Sequence, residues 1–198
     1  MNLLIDIALR NVDIEGEDYE INSDFRTSIL FELLMQDDEL SYEEKIVQAL
    51  KLYYPSMPKN LNEAVEKMIW FYSCDKGIKE SKGKGTGKSS IQIYNFEYDD
   101  DYIYGAFLDQ YGIDLQDIEY LHWWKFKAMF KALKEDNEIV KIMGYRAMSI
   151  DSKMSKEQKK FYTNMKKIHE IPKSENDIQK INSIEEALMG AGDLSRVR

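Results

Sequence analysis

The fold is decided by residues 117–134, which read DIEYLHWWKFKAMFKALK. Their apolar side chains cover two faces of a predicted helix, one containing Leu121 and Trp124 and the other Trp123 and Phe126. Because a helix that is apolar around most of its circumference is buried, we predict that this helix is the central one. Since successive helical residues point about 100° apart, Trp123 and Trp124 are predicted to engage two different neighbouring elements. The predicted core residues are Trp123, Trp124, Phe126, Phe130, Phe107 and Tyr111.

Helical periodicity predicts three helices towards the N-terminus. The first covers about residues 24–36. The second follows Ser41 and is ended by Pro55, and the third begins near Asn60. A glutamate lies three residues after both Ser41 and Asn60, which is the spacing of a capping box.

A short β-hairpin is predicted ahead of these helices, and it is the one convincing strand signal in the sequence. Val12, Ile14, Tyr19 and Ile21 alternate with polar residues. Residues 15–18 then form a four-residue turn.

Three further helices are predicted in the C-terminal half. One covers about residues 102–111, and Gly112 stands where a left-handed C-cap belongs. Another begins at Asn137, and the last is capped by Ser155 and ended by Pro172. The predicted fold class is mainly α, a helical bundle with a small N-terminal β-hairpin.

Composition predicts four regions. Residues 1–74 form a subdomain of the hairpin and helices, and residues 75–93, rich in glycine and lysine, form a flexible linker. Residues 94–172 form a C-terminal helical subdomain, followed by a weakly ordered tail over residues 173–198. The single cysteine, Cys74, excludes an intramolecular disulfide, and the absence of a signal peptide or a membrane-length apolar run predicts a cytosolic protein.

Charge is distributed unevenly along this chain of net charge −9. Residues 95–121 carry eight acids and no base, whereas residues 122–173 carry thirteen bases and six acids. The asymmetry is compatible with attraction between the two halves, head-to-tail joining of copies, or binding of a charged partner. Solvated faces of surface helices are an equally good explanation.

The sequence contains no complete catalytic motif. Residues 83–89, GKGTGKS, end like a phosphate-binding loop, but the position that requires the first glycine is Lys82, and no hydrophobic strand precedes it. Asp99, Asp100 and Asp101 are interpreted as first-turn acids favoured by the helix dipole, and His122 and His169 lack metal-ligand spacing. We therefore predict no catalytic, cofactor-binding or metal residue and no enzymatic activity.

A lysine-rich helix near residue 160 is the predicted partner-binding surface. Its aromatic residues are too few and too close together for stacking of nucleic-acid bases, and the whole chain is acidic, so no nucleic-acid partner is expected. The candidate binding residues are Lys156, Lys159, Lys160, Phe161 and Tyr162.

Three segments of the sequence resemble a known protein family, which helical periodicity alone cannot indicate. Residues 94–115 read YNFEYDDDYIYGAFLDQYGIDL, residues 121–126 read LHWWKF, and residues 19–26 read YEINSDFR. Over about residues 10–150 they resemble the bacteriophage family named after gene product fifteen. Such proteins are encoded in the tail-morphogenesis region, near the tape-measure gene, of phages and prophages of Gram-positive bacteria.

The resemblance implies a non-enzymatic tail assembly chaperone, which covers the tape-measure protein until tail-tube subunits replace it. The implied partners are the tape-measure protein, a neighbouring tail assembly protein and further copies of this chain, with no cofactor and no membrane. Exposed apolar and basic surface of the C-terminal region is expected to bind the tape-measure protein. The implied location is the cytoplasm of the bacterial host, and the alternative is a structural virion component at the tail or head-tail joint.

Overall fold

The computed structural model describes residues 2–75 and 92–172 and is mainly helical, as predicted. In the described ranges a two-stranded antiparallel hairpin precedes seven helices. No helix among them is long and apolar enough to span a membrane. The elements are β1 (Asn11–Ile14), β2 (Glu17–Glu20), α1 (Phe25–Gln36), α2 (Tyr42–Tyr53), α3 (Leu61–Tyr72), α4 (Asp100–Tyr111), α5 (Trp123–Lys131), α6 (Glu138–Ala147) and α7 (Lys156–Ile168).

The hairpin turns over two residues, so the predicted four-residue turn was wrong. Ile14 pairs with Glu17, and the backbone angles φ of Glu15 and Gly16 are 53° and 80°. Positive φ at both central positions is the type I′ geometry, whose twist matches that of the strands. The Glu15 carboxylate accepts a hydrogen bond of 2.7 Å from the Asn60 amide, which ties the turn to the start of α3.

Most predicted helix caps are confirmed. Ser41 and Ser155 each form a reciprocal capping box, and Asn60 accepts a hydrogen bond from the third residue of its helix. Gly112 has the predicted left-handed conformation, with φ of 64°. The C-terminal limit of α7 was predicted too late, because the helix ends at Ile168 rather than at Pro172.

Helix α5 is central but shorter than predicted. The chain is extended before it, and His122 forms an antiparallel bridge with Asp24. The Trp123 amide donates to the Ser23 carbonyl at 2.8 Å, and the Phe25 amide donates to the Leu121 carbonyl at 2.9 Å. These pairings join the starts of α1 and α5 and occupy backbone groups that a helix from residue 117 would need for itself.

One hydrophobic core includes residues from both sides of the predicted linker. The Phe126 ring stacks between the rings of Phe25 and Phe107, with centroid separations of 4.9 Å to Phe25 and 4.8 Å to Phe107. Of the predicted core residues, Phe130 and Tyr111 are half-buried against this cluster and the other four are buried. The division into subdomains stays a prediction, while residues 76–91 of the linker and the tail at 173–198 lie outside the described residues.

The two tryptophans contact the same element, contrary to the prediction. The Trp123 indole N–H donates to the Tyr72 carbonyl at 2.9 Å, and that of Trp124 donates to the Phe71 carbonyl at 2.7 Å. Phe71 and Tyr72 are the last residues of α3. The tryptophan pair therefore donates to two carbonyls at the end of a helix, where intrahelical partners are lacking, and the Phe71 carbonyl also accepts from the Cys74 amide at 3.0 Å.

Candidate functional site

The acids and histidines weighed for chemistry serve structural roles in the described part of the chain. No group of three or more His, Cys, Asp or Glu side chains in residues 2–75 and 92–172 could hold a metal ion. Asp100 and Asp101 lie exposed in the first turn of α4, as the helix-dipole interpretation predicts. His169 is the C-cap residue of α7, and its ring stacks on Tyr145.

His122 is 1% exposed and uses both ring nitrogens. Nδ1 accepts a hydrogen bond from the Trp124 amide at 3.0 Å, so this histidine is the N-cap of α5. Nε2 lies 2.8 Å from the Leu9 carbonyl and, in the tautomer that this requires, donates to it. Burial lowers the pKa of His122, although the bond to Leu9 acts in the opposite direction.

Asp99 is the N-cap residue of α4 and not part of its first turn, which corrects the sequence-based interpretation, and its side chain makes no capping hydrogen bond. It is 1% exposed and forms a bidentate ion pair with Arg146 of α6, at 2.6 and 2.9 Å. The Arg146 guanidinium also donates to the carbonyls of Ile93 at 3.1 Å and His169 at 2.6 Å. Arg146 thereby connects α4, α6 and the end of α7.

The helix α7 has an exposed surface that is basic on one side and apolar on the other. Phe161 and Ile168 are 48% and 60% exposed, and they lie seven residues apart on one face. The lysines at positions 156, 160 and 167 are exposed beside them. We name this surface the basic α7 face, and its residues are Lys156, Lys160, Phe161, Lys167 and Ile168.

The structure places three of the five predicted partner-binding residues, Lys156, Lys160 and Phe161, on the basic α7 face. Lys159 and Tyr162 are half-buried on the side of α7 that faces the rest of the protein. On that side the Lys166 ammonium donates to the Arg146 carbonyl at 2.9 Å. The opposite surface of α7 is exposed in the part of the chain that the structure describes.

An open groove of about 500 Å³ lies between α1 and α2. Its charged residues are one acid and one base, Asp37 and Lys51, so its electrostatic character is balanced. Leu30 is 52% exposed in it, and the other three leucines are half-buried. We name it the α1–α2 groove, and its lining is Leu30, Leu33, Leu34, Leu52, Asp37, Gln48 and Lys51.

A second groove, of about 640 Å³, lies on the other side of Leu30, between α1 and α4. Its floor is apolar, and Asp100 and Asp101 stand exposed along its α4 side. Arg26 is its one basic lining residue, and that guanidinium lies 3.2 Å from the Asp24 carboxylate. We name it the α1–α4 groove, and its principal lining residues are Phe25, Ile29, Leu30, Asp100, Asp101 and Ile103.

The two grooves were missed by sequence reasoning, although a signal for them exists. Helix α1 has more large apolar residues than one buried face can hold, since Phe25 and Phe31 point into the core while Ile29, Leu30 and Leu33 remain. Sequence periodicity treats all of them as core. Two apolar grooves that meet at Leu30 are therefore left open beside α1.

Comparison with known proteins adds a family. A family model described as Bacteriophage Gp15 protein matches residues 4–171. The match confirms the resemblance seen in residues 19–26, 94–115 and 121–126. It also extends beyond both ends of the region of about residues 10–150 in which that resemblance was found. It includes every helix and strand described above. No significant match to a curated protein or to a solved structure was found.

Proposed function

Since this chain belongs to the bacteriophage Gp15 protein family, we propose that it is a non-enzymatic tail assembly chaperone that reversibly covers the tape-measure protein. It acts in the cytoplasm of the bacterial host, together with a neighbouring tail assembly protein, and is left out of the finished virion. The observation that carries the proposal is the α1–α2 groove, an open leucine-lined surface beside the core.

The groove has the chemistry of a receptor for an amphipathic helix. Four leucines offer an apolar surface, and Asp37, Gln48 and Lys51 provide polar contacts along it. An amphipathic segment binds such a surface by its apolar stripe and keeps its polar face in water. The balanced charge lets the groove accept segments of either sign, which suits a target whose sequence changes along its length.

The expected affinity of one groove is low. Full burial of a leucine contributes about 1.5–3 kcal/mol, and the groove leucines are already partly covered. Burial of the target's own apolar side chains adds to this gain, and the entropic cost of association subtracts from it. A net gain of roughly 4 kcal/mol corresponds to a dissociation constant of about 1 mM. Copies bound side by side on a long target would hold it by avidity, and each would still leave quickly when a tail-tube subunit competes.

Co-expression tests the proposal. Tape-measure protein produced with this chain and the neighbouring tail assembly protein is expected in the soluble fraction, and without this chain it is expected to sediment. Leu52→Gln, which places an amide in the groove, should reduce the soluble fraction, whereas Leu52→Met should retain it. Leu61→Gln is the control, because Leu61 is a 50% exposed leucine outside both grooves.

Two results would overturn the proposal. One is a tape-measure protein whose solubility is the same with and without this chain. The other is this chain in purified virions in stoichiometric amount, which would establish the structural component of the tail or head-tail joint instead. Melting temperatures of all variants should match the parent within a few degrees, so that loss of solubilisation is separated from loss of folding.

A further inference from the structure

We propose that the basic α7 face of one copy binds the α1–α4 groove of a second copy, so that copies join head to tail. The ligand of the α1–α4 groove is thus a segment of this same chain, presented by another molecule. This inference concerns the protein by itself, and it holds or fails independently of what the α1–α2 groove binds.

Charge is the first step of the argument. The basic α7 face presents Lys156, Lys160 and Lys167, and the α1–α4 groove presents Asp100 and Asp101 on an edge that belongs to residues 95–121, which contain no base. The Arg26 guanidinium in the groove already contacts the Asp24 carboxylate and donates to the carbonyls of Leu115 and Ile118, both at 2.8 Å. Lysines that approach the α4 edge therefore meet uncompensated carboxylates.

Apolar matching is the second step. Phe161 and Ile168 are separated by seven residues, or about 10.5 Å along the helix. Both project from the same face beside the lysines, and they are 48% and 60% exposed. Ile29, Leu30 and Ile103 give the groove an apolar floor, and its volume of about 640 Å³ is ample for an aromatic ring and a branched aliphatic side chain. Charge brings the two surfaces together, and burial of the two apolar side chains stabilises the contact.

The geometry of the two surfaces decides what kind of assembly results. The side of α7 that carries Tyr162 and Lys166 packs on its own protomer, so the basic α7 face points away from that protomer. Two different surfaces of the same chain are matched, which makes the interface heterologous. Such an interface can continue as an open chain of copies, with one groove unused at one end and one α7 face unused at the other. It can also close into a ring, in which no surface is left unused.

The position of Leu30 gives this assembly a consequence. Because Leu30 borders both grooves, an α7 docked in the α1–α4 groove would lie directly beside the α1–α2 groove. Joined copies would then present a row of α1–α2 grooves at a regular spacing. A row of weak sites is the arrangement that a long helical target requires.

Charge reversal in the full chain tests the interface. Lys156→Glu with Lys160→Glu gives an acidic α7 face, and Asp100→Lys with Asp101→Lys gives a basic groove. In sedimentation velocity at about 50 mM salt, the parent is expected to show species larger than a monomer that grow with concentration. Each double variant alone is expected to be monomeric, because its two surfaces carry the same sign.

Mixing the two double variants provides the decisive measurement. The acidic groove of one accepts the basic α7 face of the other, and the basic groove of the second accepts the acidic α7 face of the first. The mixture should therefore regain concentration-dependent association, with the two variants alternating. The chain with all four changes should regain concentration-dependent association. Circular dichroism of each variant verifies that it is folded, and the restored association verifies it independently.

Three results would overturn the inference. The first is a parent that stays monomeric at about 300 µM and low salt, which would also be the result if part of the same chain fills the groove. The second is undiminished association of either double variant. The third is a mixture of the two double variants that remains monomeric. None of these results bears on solubility of the tape-measure protein, so the two proposals fail separately.

Discussion

The two ring nitrogens of His122 hold together elements that are far apart in sequence. Nδ1 caps α5 through the Trp124 amide, and Nε2 fixes the N-terminal segment through the Leu9 carbonyl. The bond at Nδ1 requires the neutral ring, because a protonated Nδ1 can no longer accept, whereas Nε2–H can donate to Leu9 in either protonation state. A histidine at a helix start looks unremarkable in sequence, and its role follows from the extended chain that precedes it.

Acidification is expected to destabilise the protein through His122. Burial lowers the pKa of this ring below its ordinary value, so the unfolded chain binds the proton more readily than the folded one. The free energy of unfolding should therefore fall as the pH drops below about 6.5. Urea unfolding at pH 7.5 and 5.5 measures it. His122→Asn, which retains an N-cap acceptor without titrating, should show a smaller fall over this interval, and an equal fall would assign the effect to other groups.

The tryptophan pair gives a second prediction for individual residues. Trp124→Phe retains a large ring but removes one of the donors to the Phe71 carbonyl, in a buried hydrogen bond, and leaves the bond from the Cys74 amide at 3.0 Å. We expect a loss of about 0.5–1.5 kcal/mol in the free energy of unfolding. Trp123→Phe should cost less, because the bond to Tyr72 is only partly buried. Chemical denaturation measures both, and a larger loss for Trp123→Phe would contradict the capping role given to Trp124.

At the scale of elements, the ion pair of Asp99 and Arg146 determines how α4, α6 and α7 are joined. Arg146→Met should cost about 3–5 kcal/mol, because it leaves the Asp99 charge buried without its ionic partner, although the Asn95 backbone amide still donates to that carboxylate at 2.8 Å. Adding Asp99→Asn to that variant should recover part of the loss. Amide hydrogen exchange should show α7 opening more readily in both variants, since the bond from Arg146 to the His169 carbonyl is gone. If the double variant loses as much stability as Arg146→Met and Asp99→Asn lose separately when their losses are added, the two residues are not coupled.

Local signals in the sequence predicted the elements well, and long-range pairings explain the differences. Caps at Ser41, Asn60 and Ser155 depend on side chains within three residues, so the sequence contains all the information. The start of α5 depends on the bridge between His122 and Asp24. The burial of the Asp99 side chain depends on its ion pair with Arg146, 47 residues later. Periodicity has no access to either partner.

The candidate site shows the same limit. The exposure of Lys156, Lys160 and Phe161 could be predicted because a charged, amphipathic helix is visible in sequence. Whether they bind a partner stays a prediction. The grooves beside α1 could not be predicted, because an exposed leucine and a buried leucine look alike until the neighbouring helices are placed. Their position relative to the acids of α4 is a property of the whole fold.

For the whole molecule, the uneven charge gains a physical meaning from the placement of these surfaces. The net charge of −9 keeps separate assemblies dispersed. Within an assembly, the acidic edge of α4 and the basic α7 face are the parts that attract each other. The α1–α2 groove, with one acid and one base, takes little part in that attraction.

Salt should therefore distinguish the two kinds of contact. Raising the salt concentration from about 50 to about 500 mM shortens the Debye length from about 14 to about 4 Å. Exposed ion pairs contribute about 0.2–1 kcal/mol each. Screening the ion pairs that Lys156, Lys160 and Lys167 form with the acidic groove should therefore weaken copy-to-copy association by roughly tenfold. Apolar contacts in the α1–α2 groove are not screened and should hold the tape-measure protein at both concentrations. Sedimentation of the chain alone and of the co-expressed complex measures the two effects separately.

The chain with all four charge reversals should show the same salt dependence as the parent, and Leu52→Gln should impair target binding equally at both concentrations. Loss of the tape-measure protein at a salt concentration where the copies still associate would contradict this division of roles between the two grooves.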